Sequence, residues 1–224
     1  MTRFSQLYCL WAVGSIGLAV SMSERPAESL TRLLVIGFLV LQIVLRPVLV
    51  KSFAGLAPRW RFIVFCTLLA AVVEGFHMCS MPVFLSLRIG RETTLLQGFQ
   101  YYVLDLLLTI PAYVVICAVI WHFIQRYAYT LWQYIVLVGL AQTLGDGGIW
   151  YFLGAPLMLA FLPYPMTNYH AMNILPFLAV RAQLRPERSA GLRAYLVFPA
   201  VIGTYFVCGS LIQLVGRAWG LTAS

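Results

Sequence analysis

Long apolar runs separated by short polar clusters fill the chain, and the period-two alternation of a membrane β-barrel is absent. Runs long enough to cross a bilayer occupy about 4–22, 30–50, 62–86, 100–125, 130–158, 161–181 and 194–216. A helix needs about 20 predominantly apolar residues to cover the hydrocarbon core, and only helices or closed barrels satisfy their backbone there. The pattern therefore predicts an all-α, polytopic transmembrane helical bundle of about seven spans. The run at 130–158 is too long for one simple crossing. It is interrupted by Gly145-Asp146-Gly147-Gly148 and by Pro156, which predicts a kink or a re-entrant piece. Pro111 predicts a bend in the run at 100–125.

Composition narrows the class. Of 224 residues, 62% are hydrophobic and 10% charged, against about 45–50% and about 25% in soluble domains. A water-soluble globular enzyme, a disordered chain and a nucleic-acid-binding domain are excluded. The net charge of +8 comes from 15 Lys and Arg against 7 Asp and Glu. It reads as membrane topology rather than as a nucleic-acid footprint. Arg46, Lys51, Arg59 and Arg61 follow the second span, Arg126 the fourth, and Arg181, Arg185, Arg188 and Arg193 the sixth. The positive-inside rule puts these three loops on the cytoplasmic side, with the N-terminus inside and the C-terminus outside. Splitting 130–158 into two crossings would send the Arg181–Arg193 cluster outside, so seven spans are preferred.

Arg3 ahead of an apolar stretch, with small residues near Ala19 and Ser21, fits either a signal peptide or an ordinary first helix. Cys9, Cys66, Cys79, Cys117 and Cys208 fall in apolar runs without CxxC spacing. They read as small buried hydrophobes, not as a zinc site or a disulfide framework. No linker or repeat divides the chain, which reads as one integral membrane domain over 1–224. The expected location is a membrane crossed several times: endoplasmic reticulum in a eukaryote, inner membrane in a bacterium. A homodimer is compatible with the sequence.

The informative residues are polar ones within the runs. Glu24, Glu28, Glu92 and Glu187 lie in loops beside arginines, whereas Glu74, Asp105 and Asp146 lie in spans. An ionised carboxylate is costly at membrane depth, so such residues face a cavity and serve a function, or sit in a structural ion pair. No Lys or Arg lies in the same stretches to make that pair. Glu74 and His77 are three apart and share a helix face. A carboxyl kept protonated in a dry setting is a candidate general acid; the alternative is a local Glu–His bond that tightens packing. Asp105 and Thr109 are four apart, after Tyr101, and either face a site or lie near the headgroups. Gln142, Asp146 and Trp150 form a stripe at four-residue spacing, with Asp146 either at a site or capping a break. In the sixth span, His170 and Asn173 share a face, as do Tyr169 and Asn173. A buried Asn needs partners within the bundle or a polar ligand. His122 reads as interfacial. Trp132, Trp150, Tyr151 and Phe152 belong to interfacial belts or to a cavity wall.

Four features, in this order, resemble the EXPERA (emopamil-binding protein) family of sterol Δ8–Δ7 isomerase-like proteins. They are Glu74-Gly75 inside an apolar helix, an acid early in the next helix at Asp105, Gly139-Leu140-Ala141-Gln142-Thr143-Leu144-Gly145-Asp146 followed by Trp150-Tyr151-Phe152-Leu153, and Tyr169-His170-Ala171-Met172-Asn173. The resemblance covers about 60–182, with the spans at 4–22 and 194–216 as additions. The chain departs from the family at Ala70, where the isomerases carry His, at Asp105, where Glu is usual, at Pro176, where Trp is usual, and in a short 88–99 loop.

The resemblance implies proton addition and removal at a carbon–carbon double bond of an apolar sterol or terpenoid lipid entering from the bilayer, with no cofactor and no metal. Glu74 would be the acid, Asp105 its carboxylate partner, and Asn173, Gln142 and Asp146 would tune the pair. Tyr101, Trp150 and Tyr151 would form the wall, and His77, Thr109, Tyr169 and His170 would complete the substrate pocket. Other readings stay open. A membrane-bound terpene cyclase has similar size, but its Trp-Glu signature is replaced by Val73-Glu74. A non-catalytic sterol- or lipid-binding protein fits the Ala70 departure. A proton-coupled carrier and a metal hydrolase have the residue types but lack an inverted repeat and an HExxH-like cluster.

Overall fold

The computed structural model describes residues 3–22, 26–186 and 191–221. Glu24, Glu187 and Arg188 lie outside the described residues. All the regular elements are helical, as the apolar pattern predicts. The helices are α1 (Arg3–Met22), α2 (Pro26–Val44), α3 (Arg46–Ser52), α4 (Pro58–His77), α5 (Leu95–Ile124), α6 (Leu131–Thr143), α7 (Ile149–Gly154), α8 (Pro163–Val180) and α9 (Val197–Ala218). Among the described residues six helical segments are long and apolar enough to cross a membrane: α1, α2, α4, α5, the α6–α7 unit and Leu192–Ala218. The chain is a multi-pass membrane protein. The sixth apolar run becomes α8, which is 18 residues long and less apolar by hydropathy than those six segments.

Local chemistry sets the boundaries. Pro58 opens α4 at a position where the missing N–H costs nothing. Thr94 with Gln97, and Thr130 with Gln133, form capping boxes that start α5 and α6. α3 starts at Arg46 with Pro47 in its first turn, so the run at 30–50 is two helices. The expected span at 62–86 ends earlier, at His77. The chain then turns back through Leu85–Leu87, and the Ile89 N–H donates to the Met78 carbonyl at 2.9 Å. Cys79 is exposed in this connection, outside any span. Glu28 stands in the first turn of α2, not in a loop. Pro111 lies inside α5, which runs on for 30 residues.

The expected interruption at 144–148 is present. Leu144–Gly148 forms a wide π-type turn between α6 and α7, with Asp146 at φ −83°, ψ 40° and Gly147 at φ 87°. Gly147 meets the left-handed conformation that other residues resist. Pro156 then starts a short 3-10 segment, Pro156–Phe161.

The centre of the bundle is α8, flanked by α4, α6, α2 and α1, while α5 lies between α4 and α9. A core of Phe62, Cys66, Val73, Ile116, Tyr134, Met172, Phe177 and Val201 ties α4, α5, α6, α8 and α9 together. The loops that carry most of the basic residues gather at one end. Arg61 donates to the Phe53, Ala54 and Leu56 carbonyls and to Gln183 Oε1 beyond α8. The Tyr129 hydroxyl donates to the Ala194 carbonyl before α9. This is the clustering that the charge pattern predicts.

Candidate functional site

A cavity of about 740 Å³ opens on the side of the bundle where α4, α5 and α9 meet the break between α6 and α7. Its size suits a small lipid. Glu74 from the last turns of α4 and Asp146 from the break both line it. Thr109, Tyr113, Trp150 and Tyr205 contribute further wall.

Each of the two carboxyls is held by a tyrosine from another helix. The Tyr113 hydroxyl on α5 donates to Glu74 Oε1. The Tyr169 hydroxyl on α8 donates to Asp146 Oδ2 at 2.6 Å. Tyr113 and Tyr169 are themselves buried, so their hydroxyls are fixed donors. Asp146 is exposed to the cavity opening. It reaches that position because the helix gives way around it. A Cβ at Gly145 would come within 2.7 Å of the Tyr205 Cβ and 3.2 Å of the Ile202 Cα, so the glycine lets α9 close on the break.

Asp105 sits behind this pair. It is fully buried and does not line the cavity. Its Oδ1 accepts from the Val83 N–H at 3.3 Å, and Oδ2 has no hydrogen-bond partner among the described residues. Asp105 and Asp146 both interact electrostatically with Glu74. The three intramembrane acids therefore converge, but the acid that shares the cavity with Glu74 is Asp146, not the expected Asp105. Thr109 lines the cavity and donates to the Asp105 carbonyl at 2.9 Å.

Asn173 and Gln142 form the layer beneath. Asn173 Nδ2 donates to Gln142 Oε1 at 2.5 Å and to the Tyr169 carbonyl at 2.8 Å, and the Cys66 thiol donates to its Oδ1 at 3.0 Å. Gln142 Nε2 donates to the Tyr205 hydroxyl at 3.1 Å. Asn173 is buried, its amide is satisfied by protein, and it does not line the cavity. Its side chain meets Tyr169, Gln142 and Cys66 rather than the cavity. The break also dissolves the expected stripe: Gln142 turns into this network, while Asp146 and Trp150 line the cavity.

The remaining expected residues are dispersed. His77 interacts with Arg32 and Asn168 rather than lining the cavity with Glu74, with Nε2 unpartnered among the described residues. His170 lies on the α1 side, where Nε2 meets the Tyr8 hydroxyl at 3.4 Å. Tyr101 packs with the cluster of Met78, Phe84, Leu87 and Leu108. Tyr151 is exposed and stands against Phe152. None of these four lines the cavity. Residues three or four apart share a helix face only as seen from their own helix; neighbouring helices decide which side is the interior. His122 is exposed beside Arg126.

The sequence reading missed Tyr113, Tyr205 and Arg32. Tyr113 extends the four-residue spacing of Asp105 and Thr109 by one further step, and that signal could have found it. Arg32 is buried in α2, with Nη1 donating to Asn168 Oδ1 at 2.6 Å and the guanidinium 4.0 Å from the Tyr164 ring centre. Among the described residues no group of three or more His, Cys, Asp or Glu is arranged to hold a metal. The five cysteines are free thiols. No family model, curated protein or solved structure matches the chain.

Proposed function

We propose that the protein is a membrane-embedded isomerase that moves a carbon–carbon double bond in a sterol or terpenoid lipid by adding one proton and removing another. The observation that carries this reading is that two carboxyls, Glu74 and Asp146, line one largely apolar cavity and are each oriented by a buried tyrosine hydroxyl. The order of Glu74-Gly75, Asp105, Gly145-Asp146 and Met172-Asn173, which resembles the EXPERA family, supports isomerisation over other proton chemistry.

In this mechanism the Glu74 carboxyl gives its proton to one alkene carbon, leaving a carbocation on the neighbouring carbon. Asp146 accepts a proton from the carbon on the other side, and the C–H electron pair becomes the new double bond. Atoms and electrons balance with no oxidant or reductant. Two interacting carboxyls divide naturally into one acid and one base. Tyr113 fixes the direction of the Glu74 carboxyl. Trp150 and Tyr205 line the cavity, and an aromatic face there would stabilise a cationic intermediate. Asp105 contributes field behind Glu74. The substrate reaches the cavity sideways from the bilayer, and the basic loops face the cytoplasm.

The test is sterol profiling in yeast that lacks its own Δ8–Δ7 isomerase, expressing either this protein or Glu74→Gln. The wild type is expected to convert the accumulated Δ8 sterols, and the variant to lose at least about a hundredfold of that activity. An unchanged profile with inserted wild-type protein counts against sterol isomerisation and moves terpenoid cyclisation or plain lipid binding ahead.

A further inference from the structure

The α9 wall of the cavity joins two depths. Tyr205 packs on Gly145, next to Asp146, and Arg217 lines the same cavity twelve residues further on. At 1.5 Å per residue the two levels lie roughly 18 Å apart along the helix axis. The outer level belongs to the membrane surface opposite the basic loops. Trp219, two residues beyond Arg217, is exposed there, as aromatic residues are at the headgroup boundary. Between the levels the lining is largely apolar, with Ile212, Leu214, Met81 and Val83.

Arg217 is the one basic residue in this lining among the described residues. It is exposed, and its side chain makes no hydrogen bond or ion pair with the described residues. A cation in the last turn of a helix commonly serves the terminal carbonyls. Here the backbone already serves them. The Trp219 N–H donates to the Val215 and Gly216 carbonyls at 3.1 Å, the Gly220 N–H to Arg217 at 3.0 Å, and the Leu221 N–H to Gly216 at 2.9 Å, with Gly220 at φ 76°. Arg88 and Arg91, exposed in the connection between α4 and α5, do not line the cavity. The proton transfers at Glu74 and Asp146 do not use Arg217.

A guanidinium is always charged and carries donors only. The group it takes up must accept, and an anion accepts most strongly. The inner end of the cavity holds two carboxyls, which repel a negative headgroup. An anionic amphiphile therefore fits in one direction, head at Arg217 and apolar body inward. We propose that Arg217 is the headgroup-binding residue of the cavity and holds the anionic group of an isoprenoid lipid whose body reaches Glu74 and Asp146. The assignment rests on the isomerase reading and narrows its substrate to a sterol or terpenoid bearing one carboxylate, phosphate or sulfate at the end remote from the double bond. The uncharged alcohols are weaker ligands of the same cavity.

The experiment uses the full chain in phosphatidylcholine nanodiscs, with binding to empty nanodiscs subtracted. Radiolabelled farnesyl phosphate and farnesoate are compared with farnesol, and a Δ8 sterol 3-sulfate with the free sterol. The wild type is expected to bind at least one of the anions about tenfold more tightly than its uncharged counterpart. Arg217→Gln should erase that preference with affinity for the alcohol unchanged, Arg217→Lys should restore part of it, and Arg88→Gln should leave it intact. Equal affinity of anion and alcohol in the wild type overturns the subsite. A preference that survives Arg217→Gln, or that Arg88→Gln lowers equally, overturns it in favour of general surface charge. Phosphatidylglycerol, added to the nanodiscs and carried with the wild type but not with Arg217→Gln in mass spectrometry, overturns it in favour of a bilayer headgroup. The position of the double bond in each probe is read on the same samples. Double-bond migration without an anion preference sinks the subsite alone. A preference that Arg217→Gln erases, without migration, upholds the subsite and sinks the isomerase reading. Binding of no probe overturns both.

Discussion

Helices α8 and α1 invert the usual relation between polarity and depth. The more polar helix, α8, lies at the centre, with Thr167, Tyr169, His170 and Asn173 buried. The apolar helix, α1, lies at the edge, with Leu7, Leu10 and Val13 between 67% and 73% exposed. The only residues of α1 buried by the bundle are Ser5 and Ser15. In water a leucine gains by leaving the solvent. In a bilayer it gains little, because lipid chains are as apolar as the protein interior. A polar side chain gains by finding a partner inside, because the surrounding lipid offers none. The polar helix is therefore drawn inward, where Arg32, Gln142 and Cys66 supply its partners.

The largest effect that would sharpen this contrast is at Asn173. Replacing it with Leu removes the donor to Gln142 Oε1 and the acceptor for the Cys66 thiol, and should lower stability by about 2–4 kcal/mol. Leu10→Ala on the outer face of α1 should change stability by less than about 0.5 kcal/mol. Denaturation of both variants in the same detergent compares them, and equal losses would break the contrast.

A glycine pair tests the same idea through packing. A Cβ at Gly139 would approach His170 Nε2 to 2.7 Å and the Met166 methyl to 3.1 Å, whereas at Gly14 it meets nothing within 4 Å. Gly139→Ala should destabilise by about 1–3 kcal/mol, the range for overpacking. Gly14→Ala should be neutral or slightly stabilising. A stable Gly139→Ala variant would mean that α6 and α8 are less closely packed than described.

The smallest expected effect separates orientation from stability at the site. On the proposed isomerase reading, Tyr113→Phe removes the hydroxyl that holds Glu74 and should cut turnover by about tenfold, with little change in melting temperature. A variant that melts early but turns over normally would make Tyr113 a packing residue only.

Much of the fold was legible because helix-forming apolar runs are local. The spans, the break at 144–148 and the gathering of basic loops follow from length, Gly and Pro positions, and charge. The end of the third span was misjudged because apolar residues continue past His77, through Met78, Met81 and Val83, into a connection that packs against α5. Of the site, Glu74, Asp146, Thr109 and Trp150 were legible as cavity residues, since polar and aromatic groups at membrane depth are few. Tyr113 and Tyr205 were not singled out, because a tyrosine in an apolar helix reads equally well as core, interface or site.

The sequence by itself determined that this is an all-α membrane protein, where its helices break, and which acids the bundle must accommodate. The tertiary structure alone decided that Asp146 rather than Asp105 shares a cavity with Glu74, and that His77 and His170 face elsewhere. It also decided that Tyr113 and Tyr169 hold the carboxyls. The reason is physical. When lipid and protein interior are equally apolar, the outward and inward faces of a helix look alike in sequence. Only the neighbouring helices, in place, give each polar residue its partner.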